Sequence, residues 1–346
     1  MLIVSVRSTP PPGLALPLRA AGELTLPGDT SRFDYASLDP DAGLLFLAHL
    51  GAGVIVEVDV RSDRVVRTIG GLPAVHGVLV VPELHRVFAT ATAADSMVTL
   101  AESSGQVLAR SPTGDYPDGL AYDPVHRTVW VTNETGGSET VIDADTGAVR
   151  ATVDVGGEAG NVVYDLTARQ ILVAVQGRNT LDVIDPVTFG ISRKMPLPGC
   201  EHSHGLAVDN RDHIAFLACD GNAALLTVDL DTWHLTDTIQ VGPDPDVLAY
   251  DSGAHRLYVA AESGWVTTLN TSGKHTTLTG RALLATGAHV VTVDPHTHRS
   301  YYPIADGPTG HPVLEMYLPT HPMNHRRPPR SATRSGSSRP GPTNPS

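Results

Sequence analysis

The chain has 346 residues, enough for two average domains or one large one. Gly (33) and Pro (27) are plentiful, aromatic residues make up 5% and charged residues 18%, which suits short strands joined by turns rather than long charged helices or a coiled coil. Net charge is −13, yet His321–Ser346 carries five arginines and no acid, leaving 19 of the 24 basic residues against all 37 acidic ones elsewhere; a body that acidic repels phosphate backbones, so no nucleic-acid partner is expected.

No apolar run approaches the roughly 18 residues of a membrane helix, so no membrane span is expected. The only lysines, Lys194 and Lys274, lie outside the candidate site below, which argues against Schiff-base chemistry. Two cysteines, Cys200 and Cys219, exclude a disulfide scaffold and a four-cysteine zinc site. They fall on one face and are read as free buried thiols, with pairing in an oxidising compartment or thiolate ligation by Cys219 as alternatives. Met1–Pro12 holds one short apolar run (Leu2–Val6) without a preceding basic region and is not read as a signal peptide. The expected location is cytoplasmic if this start is correct, and secreted if a leader has been missed.

In chain order, residues 1–22 are expected to be disordered, and Glu23–Gly28 is the first strand phrase. A repeat then begins: apolar residues, Asp, a turn, an aromatic, small residues. Its copies are Ala36–Asp39, Leu120–Asp123, Val162–Asp165, Leu206–Asp209, Leu248–Asp251 and Val291–Asp294, with a degenerate Val81-Pro82. The anchors at 39, 81, 123, 165, 209, 251 and 294 are 42 to 44 residues apart. Seven residues after them stand Phe46, Phe88, Trp130, Leu172, Phe216, Tyr258 and Tyr301. A third strand ends in an acid (Asp59, Asp143, Asp185, Asp229), and a turn leads into a fourth.

Four short strands per unit of about 42 residues is the period of a β-propeller blade. The expected fold is therefore an all-β, seven-bladed propeller with four-stranded blades over residues 23–320. The last unit lacks a fourth strand. Glu23–Gly28 (ELTLPG) matches the fourth-strand phrase Lys194–Gly199 (KMPLPG), so the N-terminal strand is expected to complete the last blade. The Arg-, Pro- and Ser-rich residues 321–346 are expected to be a disordered tail.

Over about residues 23–319 the repeat resembles the YVTN-type (surface-layer, YncE-like) propellers. The nearest copy is Pro117-Asp118-Gly119-Leu120-Ala121-Tyr122-Asp123-Pro124 followed by Val131-Thr132-Asn133. That resemblance implies the fold, and it implies a propeller that recognises a ligand or protein partner without catalysis as the alternative to an enzyme.

In a propeller the first strand of each blade lines the central channel, and ligand sites favour such concave mouths. Five residues before each anchor the mouth ring reads Asp34, His76, Asp118, Gly160, His204, Asp246 and His289. Neutral imidazoles suit Zn, Fe, Cu, Ni or Mn, and added carboxylates bias a site toward harder ions. His76, His204 and His289 are thus candidate ligands of a divalent metal. His202, Tyr116, Glu262 and Asp118 are candidate acid–base groups, and Asp34, His49, Asn133, Gln176, Asp220 and Asp246 candidate substrate contacts. Histidines in the hairpins after the anchors (His85, His126, His213, His255, His298) belong to the opposite face and serve as an internal control without a specific role. The expected activity is metal-dependent lyase, isomerase or hydrolase chemistry on a small molecule by a monomer.

Overall fold

The computed structural model describes residues 12–320. The aspartate anchors explain why the chain folds back so regularly. Each carboxylate accepts hydrogen bonds from backbone N–H groups two or three residues on, as Asp39 Oδ1 does from Asp41 and Ala42 (both 2.9 Å) and Asp123 Oδ1 from Val125 (2.8 Å). The acids ending the third strands do the same, for example Asp143 Oδ1 toward Thr146 N at 2.7 Å. Blade 2, with Val81-Pro82, turns instead through a 3-10 segment Pro82–Leu84.

Seven four-stranded antiparallel sheets result. Blade 3 runs Pro117–Asp123, Thr128–Asn133, Ser138–Asp143 and Val149–Asp154 from channel to rim. The inner strands are Ala36–Asp39, Val75–Val81, Pro117–Asp123, Ala159–Asp165, Ser203–Asp209, Pro245–Asp251 and Thr292–Val293. Each packs beside the inner strands of both neighbours, and Thr292–Val293 meets Ala36–Asp39 to close the ring.

Closure follows the sequence expectation. The last blade's outer strand is Leu18–Thr25, antiparallel to Val313–Pro319 with Glu23 opposite Glu315 and Thr25 opposite Val313. It begins at Leu18, ahead of the Glu23 expected, because Leu18 to Ala20 also find partners in Tyr317–Pro319. The tail 321–346 and residues 1–11 lie outside the described residues. Among the described residues no helix is long and apolar enough to cross a membrane.

The aromatic register is the hydrophobic cement. Phe46, Phe88, Trp130, Leu172, Phe216, Tyr258 and Tyr301 are all buried, and a separate apolar cluster fills the space between every adjacent pair of blades. Near the axis the strands come closer than side chains allow. A Cβ on Gly77 would lie 2.2 Å from the Asp118 carbonyl oxygen, and one on Gly205 2.3 Å from that of Asp246. These glycines let the ring residues of neighbouring blades crowd together at the mouth.

Candidate functional site

At the end of the channel where the inner strands begin lies a cavity of about 560 Å³. Five members of the ring line it: Asp34, His76, Asp118, His204 and Asp246. His204 Nε2 stands 3.2 Å from Asp246 Oδ1, and its Nδ1 is 3.1 Å from Gln176 Oε1. His76 Nδ1 lies 3.0 Å from the Ala74 carbonyl. A carbonyl only accepts, so Nδ1 carries a proton and Nε2 is turned outward. Tyr116 Oη lies within hydrogen-bond distance of that nitrogen at 3.2 Å, and Asp34 Oδ2 stands 3.6 Å from it.

A second tier sits seven residues before each anchor and overhangs the mouth. Arg32, Tyr116, His202 and Asp244 all line the cavity from that register. Tyr116 (φ 60°), His202 (φ 59°) and Asp244 (φ 54°) adopt the left-handed conformation there, strain of a kind that concentrates at functional sites. His202 Nδ1 is 2.8 Å from Asp220 Oδ1, and its Nε2 is 3.4 Å from Glu158 Oε2. Arg32, unremarked in the sequence, reaches three carboxylates: Glu262 at 2.6 Å, Asp34 at 3.4 Å and Asp246 at 3.7 Å.

Tyr35 was equally invisible to sequence reasoning. It occupies the register that holds glycine at 77, 119 and 205. Its hydroxyl crosses the axis and donates to Asn161 Oδ1 (2.8 Å) and Asp118 Oδ2 (3.2 Å), flooring the cavity.

Seven carboxylates (Asp34, Asp118, Glu134, Asp220, Asp244, Asp246, Glu262) outnumber the basic side chains Arg32, His76, His202 and His204 in the lining. Burial, then the charge of Asp246, pushes Asp34 above its ordinary pKa; burial, then Asp34, pushes Asp118 well above. Burial also opposes charge on Asp246 and His204. Their mutual hydrogen bond outweighs it, leaving Asp246 below the usual range and His204 at about 10. Tyr116 is raised by burial and then by Glu134, and stays a neutral donor. Crowded carboxylates in this setting favour a positively charged guest.

The structure redistributes several expected residues. Gln176, Asp220 and Glu262 line the cavity; His49 and Asn133 do not. The reason is the pleat. His49 and Asn133 are the last residues of their second strands, ten after the anchor, and point into the blade, whereas the eleventh residue (Glu134, Gln176, Asp220, Glu262) points to the channel. His49 is fully buried, stacked on Phe33 at 4.1 Å with Nε2 3.1 Å from the Ser31 carbonyl. Asn133 bonds Gly114 N, Ser138 and Thr140, fixing its own hairpin.

The three candidate metal histidines come from blades 2, 5 and 7 and are not brought into one ligand set. The ion-sized groupings at the mouth are Asp34–His76–Asp118 and Asp34–Asp246–His289, each from three consecutive blades. The cysteines form a Cys200–Cys219 disulfide, which corrects the expectation of free thiols and removes Cys219 as a thiolate ligand. The hairpin histidines are not idle: His213 Nε2 meets Asp165 of the preceding blade at 2.9 Å, and His298 Nδ1 meets Asp251 at 2.8 Å.

No protein-family model matches the sequence, and no curated protein matches it. Solved structures do resemble it. Virginiamycin B lyase from Staphylococcus aureus superposes with a TM-score of 0.71 at 13% identity, over 86% of this chain and 98% of that one. A streptogramin B lyase gives 0.71 at 14% identity, covering 85% and 96%. Hydrazine synthase from Kuenenia stuttgartiensis gives 0.70 at 13%, covering 84% and 96%. The likeness is one of fold. It groups the chain with seven-bladed propellers, some of them enzymes, and leaves kinship with the YVTN-type family to the repeat alone.

Proposed function

We propose that the axial mouth binds a small, positively charged molecule and transfers a proton on it, as a lyase, isomerase or hydrolase would. The observation that carries this reading is the Tyr116–His76 pair at the edge of a carboxylate-lined cavity. A ligand proton can pass to Tyr116 Oη while the phenolic proton passes to His76 Nε2, and the reverse sequence returns it. His202, held by Asp220 across the mouth, is a second proton donor. The excess of carboxylates supports a cationic ligand, and the fold's use by lyases supports catalysis as an analogy. By the copy at Pro117–Pro124 the repeat is read as of the YVTN kind, for which binding without turnover is the competing reading.

The test is a thermal-shift screen of the full chain with matched panels, small aliphatic amines against small carboxylates and phosphates of equal size. The amines should raise Tm and the anions should not. Mass spectrometry of incubated amine hits should reveal a product, and Tyr116→Phe should slow its formation by about 10²-fold or more while binding persists. Preference for anions defeats the ligand class, and hits that stay chemically unchanged defeat catalysis.

A further inference from the structure

We propose that Asp34, Asp246 and His289 together hold a divalent cation, of the Mn²⁺, Fe²⁺ or Zn²⁺ class, at one side of the axial mouth. These residues occupy the same register, five before the anchor, in blades 1, 6 and 7. Those blades are consecutive around the closed ring, so equivalent positions become neighbours. One donor atom from each lies within 4.8 Å of the other two.

Their unused atoms make the case. All three residues are buried, with side chains 3%, 10% and 5% exposed. Asp34 Oδ2, Asp246 Oδ2 and His289 Nε2 have no hydrogen-bond partner. The remaining atoms are engaged: Asp246 Oδ1 with His204, Asp34 Oδ1 with Arg32, and His289 Nδ1 with the Gly287 carbonyl at 3.0 Å. That last contact places a proton on Nδ1 and makes Nε2 the nitrogen available to a metal ion. Unpartnered buried polar atoms on three residues whose potential ligand atoms converge within 4.8 Å are costly, and a cation held among them would satisfy them. The other grouping, Asp34–His76–Asp118, lacks this property, because His76 Nε2 already pairs with Tyr116 and Asp118 Oδ2 receives Tyr35.

Two carboxylates and one imidazole form a mixed set that suits Mn²⁺, Fe²⁺ or Zn²⁺, with the remaining positions open toward the cavity. Arg32 competes. Its Nη2 stands 3.7 Å from Asp246 Oδ2, its side chain is 44% exposed, and its closest carboxylate is Glu262 at 2.6 Å. Cation binding should therefore tighten when Arg32 is removed.

The test is calorimetric titration of Mn²⁺ into chelator-stripped full-length protein, with no substrate needed. One ion per chain is expected. Asp34→Asn and His289→Gln should each weaken it at least about a hundredfold, Arg32→Gln should tighten it about tenfold, and His76→Gln should leave it unchanged. Should either ligand variant fail to fold, anomalous diffraction from wild-type crystals soaked in Mn²⁺ decides, with a peak among the three side chains expected. Several weak ions indifferent to these substitutions, loss of binding in His76→Gln, or a peak at Asp209–Asp212–His255 on the opposite face would each overturn the assignment. Amine binding and turnover are read separately, so failure of this site is distinguishable from failure of the proposed function.

Discussion

Replacing Tyr35 by Phe removes one hydroxyl and tests whether the floor of the cavity is built as described. That hydroxyl links blade 1 to Asn161 in blade 4 (2.8 Å) and Asp118 in blade 3 (3.2 Å). Its removal deprives two buried acceptors, 8% and 3% exposed, of their donor. A buried acceptor left unsatisfied costs about 1–3 kcal/mol. Asp118 borders the cavity, where water can replace the donor, so a total of about 1–2 kcal/mol is expected for Tyr35→Phe. Tyr35→Ala also removes the ring that spans the axis and should cost about 3–5 kcal/mol. Urea unfolding followed by circular dichroism gives both values, with a parallel fall in Tm of about 2–4 °C per kcal/mol. A Tyr35→Phe protein within about 0.5 kcal/mol of the wild type, or a Tyr35→Ala protein no weaker than Tyr35→Phe, would refute this picture.

A chain beginning after Pro27 lacks the strand that pairs with Val313–Pro319, exposes that edge, and should melt at least about 10 °C lower; an unchanged melting curve would mean the ring closes without it. Cys200 and Cys219 are 19 residues apart, so Cys200→Ser with Cys219→Ser should cost about 3 kcal/mol, and a thiol count on denatured, unreduced protein should find none free. His213 sits between Asp165 (2.9 Å) and Asp231 (2.6 Å), with Lys274 also on Asp231. Burial opposes its charge, but the bonds to Asp231 and Asp165 win, and its pKa rises above 6.5. A raised pKa stabilises the fold below 6.5, and that stabilisation is lost as pH climbs through the folded value. The wild-type urea midpoint should therefore fall as pH rises above 6.5 by more than that of His213→Asn, and parallel profiles would contradict the bridge.

Blade number, register and closing strand were legible because each repeats a local cause. An aspartate caps each hairpin except in blade 2, an aromatic (in blade 4, Leu172 instead) plugs the gap between blades, and ELTLPG repeats KMPLPG. The ring of Asp34, His76, Asp118, His204 and Asp246 was legible for the same reason, since one offset from the anchor selects one side of one strand. Errors arose where a single residue of register matters. Mixing the tenth and eleventh positions put His49 and Asn133 beside Gln176 and Asp220, although the pleat sends them to opposite sides. Arg32 stands in the same register as Tyr116 and His202, and comparing all seven copies would have found it. Tyr35 and the His213–Asp165 bridge depend on blades 42 or more residues away in sequence, and local pattern carries no trace of them. The disulfide was undecided for a related reason, because sharing a face does not set the distance between two Cα atoms, here 5.4 Å.

The account stands on the mouth as a receptor for positive charge. A crystal structure of the full chain grown with 1,4-diaminobutane tests that directly. An ammonium group within hydrogen-bond distance of at least two among Asp118, Glu134, Asp220 and Asp246 is the predicted result. Diamine found only on outer blade edges or at the opposite end of the channel would contradict it.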